Sequence, residues 1–180
     1  MKILAISGSL RAASLNSAML RAMGRLADKN MEIILYKGMG DLPLFNPDIA
    51  ASDPAAVAAF REQILFSNAL LIASPEYAHG ITGVMKNALD WMVSCECFVN
   101  KPVAIINTSP RATIANASLR EIITTMSAVI IEEASITIPI LGASLDEEKI
   151  FHHPEISTSL IAALTAIKRH LAMEIAPEKI

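Results

Sequence analysis

The sequence predicts an α/β fold, a three-layer, doubly wound sheet of five parallel strands. Three observations predict it. Short β-branched or apolar runs alternate along the whole chain with longer amphipathic segments. The runs Leu70-Leu71-Ile72-Ala73 and Val103-Ala104-Ile105-Ile106 lack the apolar–polar alternation of a half-exposed strand, as expected where helices cover both faces of a sheet. The length, 180 residues, suits one domain over residues 1–180, with no internal repeat, low-complexity tract or Pro/Gly linker to divide it.

The elements follow in order. Lys2–Ser7 reads as a strand, Ser14–Lys29 as an amphipathic helix and Glu32–Tyr36 as a second strand, together one βαβ unit. A loop rich in Gly, Pro and Asn runs from Lys37 to Pro54. A helix over Ala55–Phe66, a strand over Ala69–Ser74 and a helix over Thr82–Cys95 come next. The strand Val103–Thr108, a helix over Asn116–Ser127, the strand Val129–Ile136 and a helix over Pro154–Met173 complete five strands and five helices. With five strands in flavodoxin-like order, a ligand belongs beyond the carboxyl ends of the strands, at the loops after strands one and three.

Composition excludes several function classes. At 53% hydrophobic and 18% charged residues the chain is too apolar for disorder. A net charge of −3, with no basic run longer than Lys168-Arg169, argues against nucleic acid as a partner. Apolar stretches such as Ala69–Ala73 fall far short of the ~18–20 residues that cross a bilayer, so no membrane association is expected. The start of the chain lacks a secretory pattern, which predicts a cytoplasmic location. Cys95 and Cys97, one residue apart, suit neither a disulfide framework nor a structural zinc site and read as free thiols in a reducing compartment.

The first strand ends in Ser7-Gly8-Ser9-Leu10-Arg11-Ala12-Ala13-Ser14-Leu15-Asn16-Ser17, a hydroxyl-rich turn with one guanidinium that feeds a helix. Unpaired N–H groups and a partial positive charge at a helix start favour phosphate there. Ser9, Ser14 and Asn16 add donors and Arg11 adds charge, while Ser14 or Asn16 also suits a helix cap. Neither the Walker pattern nor G-x-G-x-x-G is present, so the loop suits a monophosphate.

The third strand runs into Ser74-Pro75-Glu76-Tyr77-Ala78-His79-Gly80, where Pro75 and Gly80 shape a tight loop and Tyr77 offers a stacking face to a planar ligand. In the following helix, Ile81, Val84, Met85, Ala88, Leu89, Met92 and Cys95 form the core stripe. Trp91 and Val93 fall on its shoulders, which predicts a homodimer contact there. Lys86 and Asp90 read as a surface ion pair, and His152-His153 as a loop entering the last helix.

These motifs closely resemble the NADPH-dependent FMN reductase family. The resemblance rests on Gly8-Ser9-Leu10-Arg11 with Ser14 and Asn16, on Leu44-Phe45-Asn46-Pro47-Asp48, and on Ser74-Pro75-Glu76-Tyr77 leading to Gly80, Gly83, Lys86-Asn87-Ala88 and Asp90-Trp91. It covers roughly residues 1–130. It implies bound FMN, its phosphate held by Ser9, Arg11, Ser14, Asn16 and the backbone of Leu15 and Ser17. Pro75, Glu76, Tyr77 and Ala78 would border the ring, with Gly80 and Ser109 completing the site. NADPH or NADH would be the co-substrate and a quinone, free flavin, azo compound or metal oxyanion the small-molecule electron acceptor, in a ping-pong cycle run by a homodimer or homotetramer.

No side chain is expected to be catalytic beyond the flavin, although Tyr77 or His79 is placed to give a proton to a quinone. The family's glycine-rich third loop is here Thr108-Ser109-Pro110-Arg111-Ala112-Thr113, without glycine, and Arg111 is read as either guarding the ring or meeting a nicotinamide nucleotide's phosphate. Two rival readings are a flavodoxin-like electron carrier and a phosphate-binding module without redox chemistry. Such carriers are strongly acidic and sandwich their ring between aromatics, unlike this chain.

Overall fold

In the computed structural model, which describes residues 1–140 and 145–175, alternate residues of each central strand serve opposite faces of one sheet. Ile3, Ala5, Ala69, Leu71, Ala73, Ala104 and Ile106 enter one buried cluster, whereas Leu4, Ile6, Leu70, Ile72, Val103 and Ile105 enter the other. Both faces are therefore apolar, which explains the unbroken hydrophobic runs. Strands β1 (Lys2–Ser7), β2 (Glu32–Leu35), β3 (Ala69–Ala73), a hairpin of β4 (Glu76–Tyr77) and β5 (Gly80–Ile81), β6 (Pro102–Ile105) and β7 (Val129–Ile130) follow in chain order. The main sheet has the order β2-β1-β3-β6-β7 and is parallel throughout.

Helices α1 (Leu15–Leu26) and α7 (Pro154–Ile175) cover the first cluster, with the short α6 (Glu147–His152) beside α1. After a four-residue turn of helix, α2 (Pro47–Ala50), the helices α3 (Ala55–Leu65), α4 (Gly83–Met92) and α5 (Thr113–Thr125) cover the second. The sequence places the five long helices correctly and overlooks α2, α6 and the β4–β5 hairpin. None of the described helices is long and apolar enough to cross a membrane, and no described group of His, Cys, Asp and Glu is placed to hold a metal.

Several boundaries differ, each for a physical reason. α4 ends at Met92, short of the expected Cys95, because Cys95 turns extended and accepts a bond from Cys97 N–H at 3.2 Å to start a single 3-10 turn. The expected strand over Val129–Ile136 stops at Ile130. There a 3-10 turn over Glu132–Ala134 intervenes, and the Ser135 hydroxyl accepts from Ile105 N–H at 3.1 Å where a strand carbonyl would have stood. His152 ends α6, and His153 Nδ1 accepts from Ile156 N–H at the start of α7.

Trp91 corrects an expectation. It is buried, donates its Nε1–H to the Pro43 carbonyl at 2.8 Å and meets Phe45 edge-on at 5.2 Å. The loop after β2 folds over α4 and encloses the shoulder read as a subunit contact; Asn87 anchors the same loop through Phe45 N–H and the Pro43 carbonyl. Val93 stays exposed. Lys86 and Asp90 do pair, at 2.5 Å.

Candidate active site

The first wall of the site is the β1–α1 loop. Gly8 extends the β1–β3 ladder by donating its N–H to the Ala73 carbonyl at 2.9 Å. A Cβ there would lie 2.2 Å from Ser74 Oγ, so only glycine lets the two loops approach this closely. The Thr82 hydroxyl donates to the Gly8 carbonyl at 2.7 Å while accepting from Met85 N–H, tying the loop to the start of α4. Ser7 Oγ shares a 2.8 Å bond with Ser17 Oγ and accepts from Ser9 N–H, so the turn is braced from beneath.

Ser14 is the N-cap of α1, accepting from Ser17 N–H at 3.2 Å. Capping occupies that amide alone. The first-turn N–H groups of Leu15 and Asn16 have no acceptor within the helix, and they stand at its positive end. Asn16 Oδ1 accepts from the Thr108 hydroxyl at 3.1 Å, which links the first wall to the third and leaves the Asn16 amide donors for another acceptor.

The second wall is the β4–β5 hairpin. Tyr77 pairs with Gly80 across a two-residue turn in which Ala78 and His79 have φ of 49° and 59°. Paired left-handed residues mark a type I′ turn, which favours Asn-Gly; Ala and His there store roughly 1–2 kcal/mol each. The glycine expected to permit the turn is not the strained residue, since Gly80 sits in ordinary strand backbone beside it. The turn leaves Tyr77 61% exposed, with its ring on the rim.

Glu76 is largely buried. Its Oε2 accepts from Ala115 N–H at 2.8 Å and its Oε1 lies 3.3 Å from His79 Nδ1. Ala112, the N-cap of α5, makes no side-chain cap bond, so Glu76 caps α5 from another element. That distant cap explains why α5 begins three residues before the expected Asn116.

The third wall follows β6. Asn107 Oδ1 accepts from Ser109 N–H at 3.1 Å, and Ser109 Oγ accepts from Arg111 N–H at 3.3 Å. Two successive side-chain turns thus shape a loop that has no glycine.

The three walls enclose a cleft of ≈ 340 Å³ at the carboxyl end of the sheet. Of the residues expected there, Ser9, Arg11, Ser14, Leu15, Asn16, Pro75, Glu76, Tyr77 and Ser109 line it. Ser17, Ala78 and Gly80 do not: the Ser17 N–H is taken by Ser14 Oγ and its hydroxyl is turned under the loop toward Ser7, and the other two lie at the hairpin turn. Asn107, Thr108 and Arg111 line the cleft as well. Their position at the end of the fourth long strand was the available signal for Asn107 and Thr108.

The arginines divide sharply. Arg21, Arg25, Arg61, Arg120 and Arg169 each face a carboxylate within 4 Å. Among the described residues, Arg11 and Arg111 have no ion pair and no side-chain hydrogen bond, and both line the cleft. Glu76 is the one carboxylate among the lining residues, and it is committed to Ala115 and His79.

A five-stranded sheet of this order, with open amides, hydroxyls and a guanidinium at its first loop and an exposed aromatic just after its third strand, defines a flavodoxin-like α/β protein whose cleft has the donors a mononucleotide needs. Comparison with known proteins narrows the class. Residues 1–140 match the NADPH-dependent FMN reductase family, and the chain belongs to that family. It is 46% identical over 111 residues to an NAD(P)H-dependent FMN reductase of Pseudomonas aeruginosa, a match spanning 60% of each chain's length. A quinone reductase of Escherichia coli K12 is 30% identical over 141 residues, 74% of each chain. Among solved structures, the flavoenzyme NAD(P)H:(acceptor) oxidoreductase FerB of Paracoccus denitrificans superposes with a TM-score of 0.71 at 27% identity, covering 94% of this chain and 98% of its own. The donor set on the first wall fits the phosphate of FMN, the flavin nucleotide that the family's description names.

Proposed function

We propose that this protein is an FMN-dependent oxidoreductase that takes hydride from NAD(P)H and passes electrons to a small acceptor, a quinone, free flavin, azo compound or metal oxyanion, by a ping-pong mechanism. The observation that carries the proposal is the union, in one open cleft, of an unneutralised arginine with uncapped helix amides and an exposed aromatic rim. FMN, when bound, supplies the hydride-accepting and electron-donating chemistry.

The chain's own groups bind and orient. Arg11, the Ser9 hydroxyl and the Leu15 and Asn16 amides hold the phosphate, with Ser14 fixing the helix start. Pro75, Glu76 and Tyr77, with the Ala78 and Gly80 backbone beside them, border the ring on one side and Ser109 on the other. Glu76 acts chiefly by holding the hairpin and α5 in register, so that the ring side of the cleft is rigid before a ligand enters. The opening of the cleft leaves room for the two substrates to alternate, which is what ping-pong kinetics require.

Leu44, 83% exposed between two residues anchored on α4, and the exposed Val93 just past the end of α4 are the apolar side chains through which a homodimer or homotetramer would assemble. Free thiols suit a reducing, cytoplasmic setting. The test is the visible spectrum of the purified protein with FMN, followed anaerobically by NADPH. A bound flavin bleached by NADPH supports the reductase. A bound flavin left oxidised by both NADPH and NADH overturns it in favour of an electron carrier, and no flavin binding overturns it altogether.

A further inference from the structure

We infer that Arg111 is the residue that selects NADPH over NADH, by pairing with the 2′-phosphate of the adenosine ribose. The inference rests on the nicotinamide-dependent reading above and assigns a specificity determinant within it.

One monophosphate accounts for the first wall and no more. The helix-start amides, Ser9 and Arg11 converge there, on the loop after β1. Arg111 stands on the loop after β6, and β1 and β6 are separated by β3 in the sheet. At the usual interstrand spacing their ends lie roughly 10 Å apart, on opposite walls. The cleft therefore holds a second uncommitted cation, in no ion pair among the described residues, after the flavin phosphate has been given its partners.

The size and openness of the site say where that second anion sits. A cleft of ≈ 340 Å³ accommodates one mononucleotide-sized ligand, so the adenosine half of a dinucleotide must lie at the rim. Arg111 is exposed at that rim, its backbone held by the bond from its N–H to Ser109 Oγ. A guanidinium matches a terminal phosphate best, because the fork of N–H donors engages two oxygens of a near-dianionic group. The 2′-phosphate is the terminal phosphate that NADPH has and NADH lacks. The pyrophosphate, common to both, gives no discrimination.

The test is calorimetric titration of the FMN-loaded protein with adenosine 2′,5′-bisphosphate and with adenosine 5′-monophosphate, beside FMN titrations of the same variants. The native protein is expected to bind the bisphosphate about tenfold or more tightly than the monophosphate, the scale of one charge-assisted hydrogen bond. Arg111→Ala is expected to abolish that ratio while leaving FMN affinity within about twofold, and Arg111→Lys to restore part of it by charge without the fork. A ratio that survives in Arg111→Ala, or that is absent from the native protein, overturns the inference. So does an equal loss of FMN affinity in Arg111→Ala, which would place Arg111 on the flavin phosphate. Failure of the native protein to bind FMN overturns the reading of the cleft itself, a result the FMN titration reads separately.

Discussion

On the surface formed by α1 and α6, Arg21 meets Glu147 at 2.7 Å, Arg25 meets Glu148 at 2.5 Å and also lies 4.1 Å over the Phe151 ring, and Lys168 pairs with Asp28 close by. In the cleft, Arg11 and Arg111 have no such partners. Hydrogen bonding to Arg25 holds the Glu148 carboxyl below the ordinary range, and Lys168 does the same for Asp28. These groups are exposed or half-exposed, so solvent and salt screen the pairs and each contributes little to stability. Arginine alone therefore marks nothing in this molecule. What marks the site is arginine left unneutralised in a concave place, beside strained backbone and a helix start with amides to spare.

Substitutions separate the two regions. The largest effect is expected from Gly8→Ala, whose Cβ would overlap Ser74 Oγ: about 1–3 kcal/mol of destabilisation by overpacking, with loss of flavin binding as the first loop is pushed out. Gly83→Ala is its control, since a Cβ there meets nothing within 4 Å, and urea denaturation should find it no less stable than the native chain. Next comes Arg11→Ala, expected to weaken FMN binding about tenfold to a hundredfold by fluorescence titration while Tm stays within a degree or two. Arg25→Ala on the paired surface should leave FMN affinity unchanged, and an equal loss in both variants would erase the distinction between the two regions.

Smaller effects sharpen it. Glu76→Ala removes the cap of α5 and should cost about 0.5–2 kcal/mol in chemical denaturation, with Glu76→Gln recovering most of it because the amide oxygen still accepts from Ala115 N–H. The smallest effect at neutral pH concerns Cys97, remote from the ligand. Burial, with the hydrogen bond to Cys95, pushes its thiol up to about 12. Its contribution to stability is complete below the ordinary thiol range near 8.5 and is lost as pH rises from there toward 12. Denaturation midpoints of Cys97→Ala against the native chain should therefore converge with rising pH.

The parallel, doubly covered sheet was legible because both its faces are buried: apolar runs such as Leu70-Leu71-Ile72-Ala73 are what such strands require. The first wall of the cleft was legible because Ser9, Arg11 and Ser14 are neighbours in sequence and the helix start is local chemistry. What was not legible depends on distant partners. Glu76 caps α5 across 39 residues, the Ser135 hydroxyl replaces a strand carbonyl opposite Ile105, and the Pro43 carbonyl draws Trp91 inward. No periodicity in the separate segments records those encounters. The type I′ turn was hidden for a different reason, since Ala78-His79 lacks the Asn-Gly signature its backbone calls for.

The most direct measurement compares FMN with riboflavin in fluorescence titrations of the native protein and of Arg11→Ala. The two ligands differ only by the phosphate. A cradle built from Arg11, Ser9 and the first amides of α1 binds FMN at least tenfold more tightly than riboflavin, and Arg11→Ala narrows that gap. Equal affinities for FMN and riboflavin in the native protein would contradict a phosphate site at the first loop, and with it the assignment of the cleft.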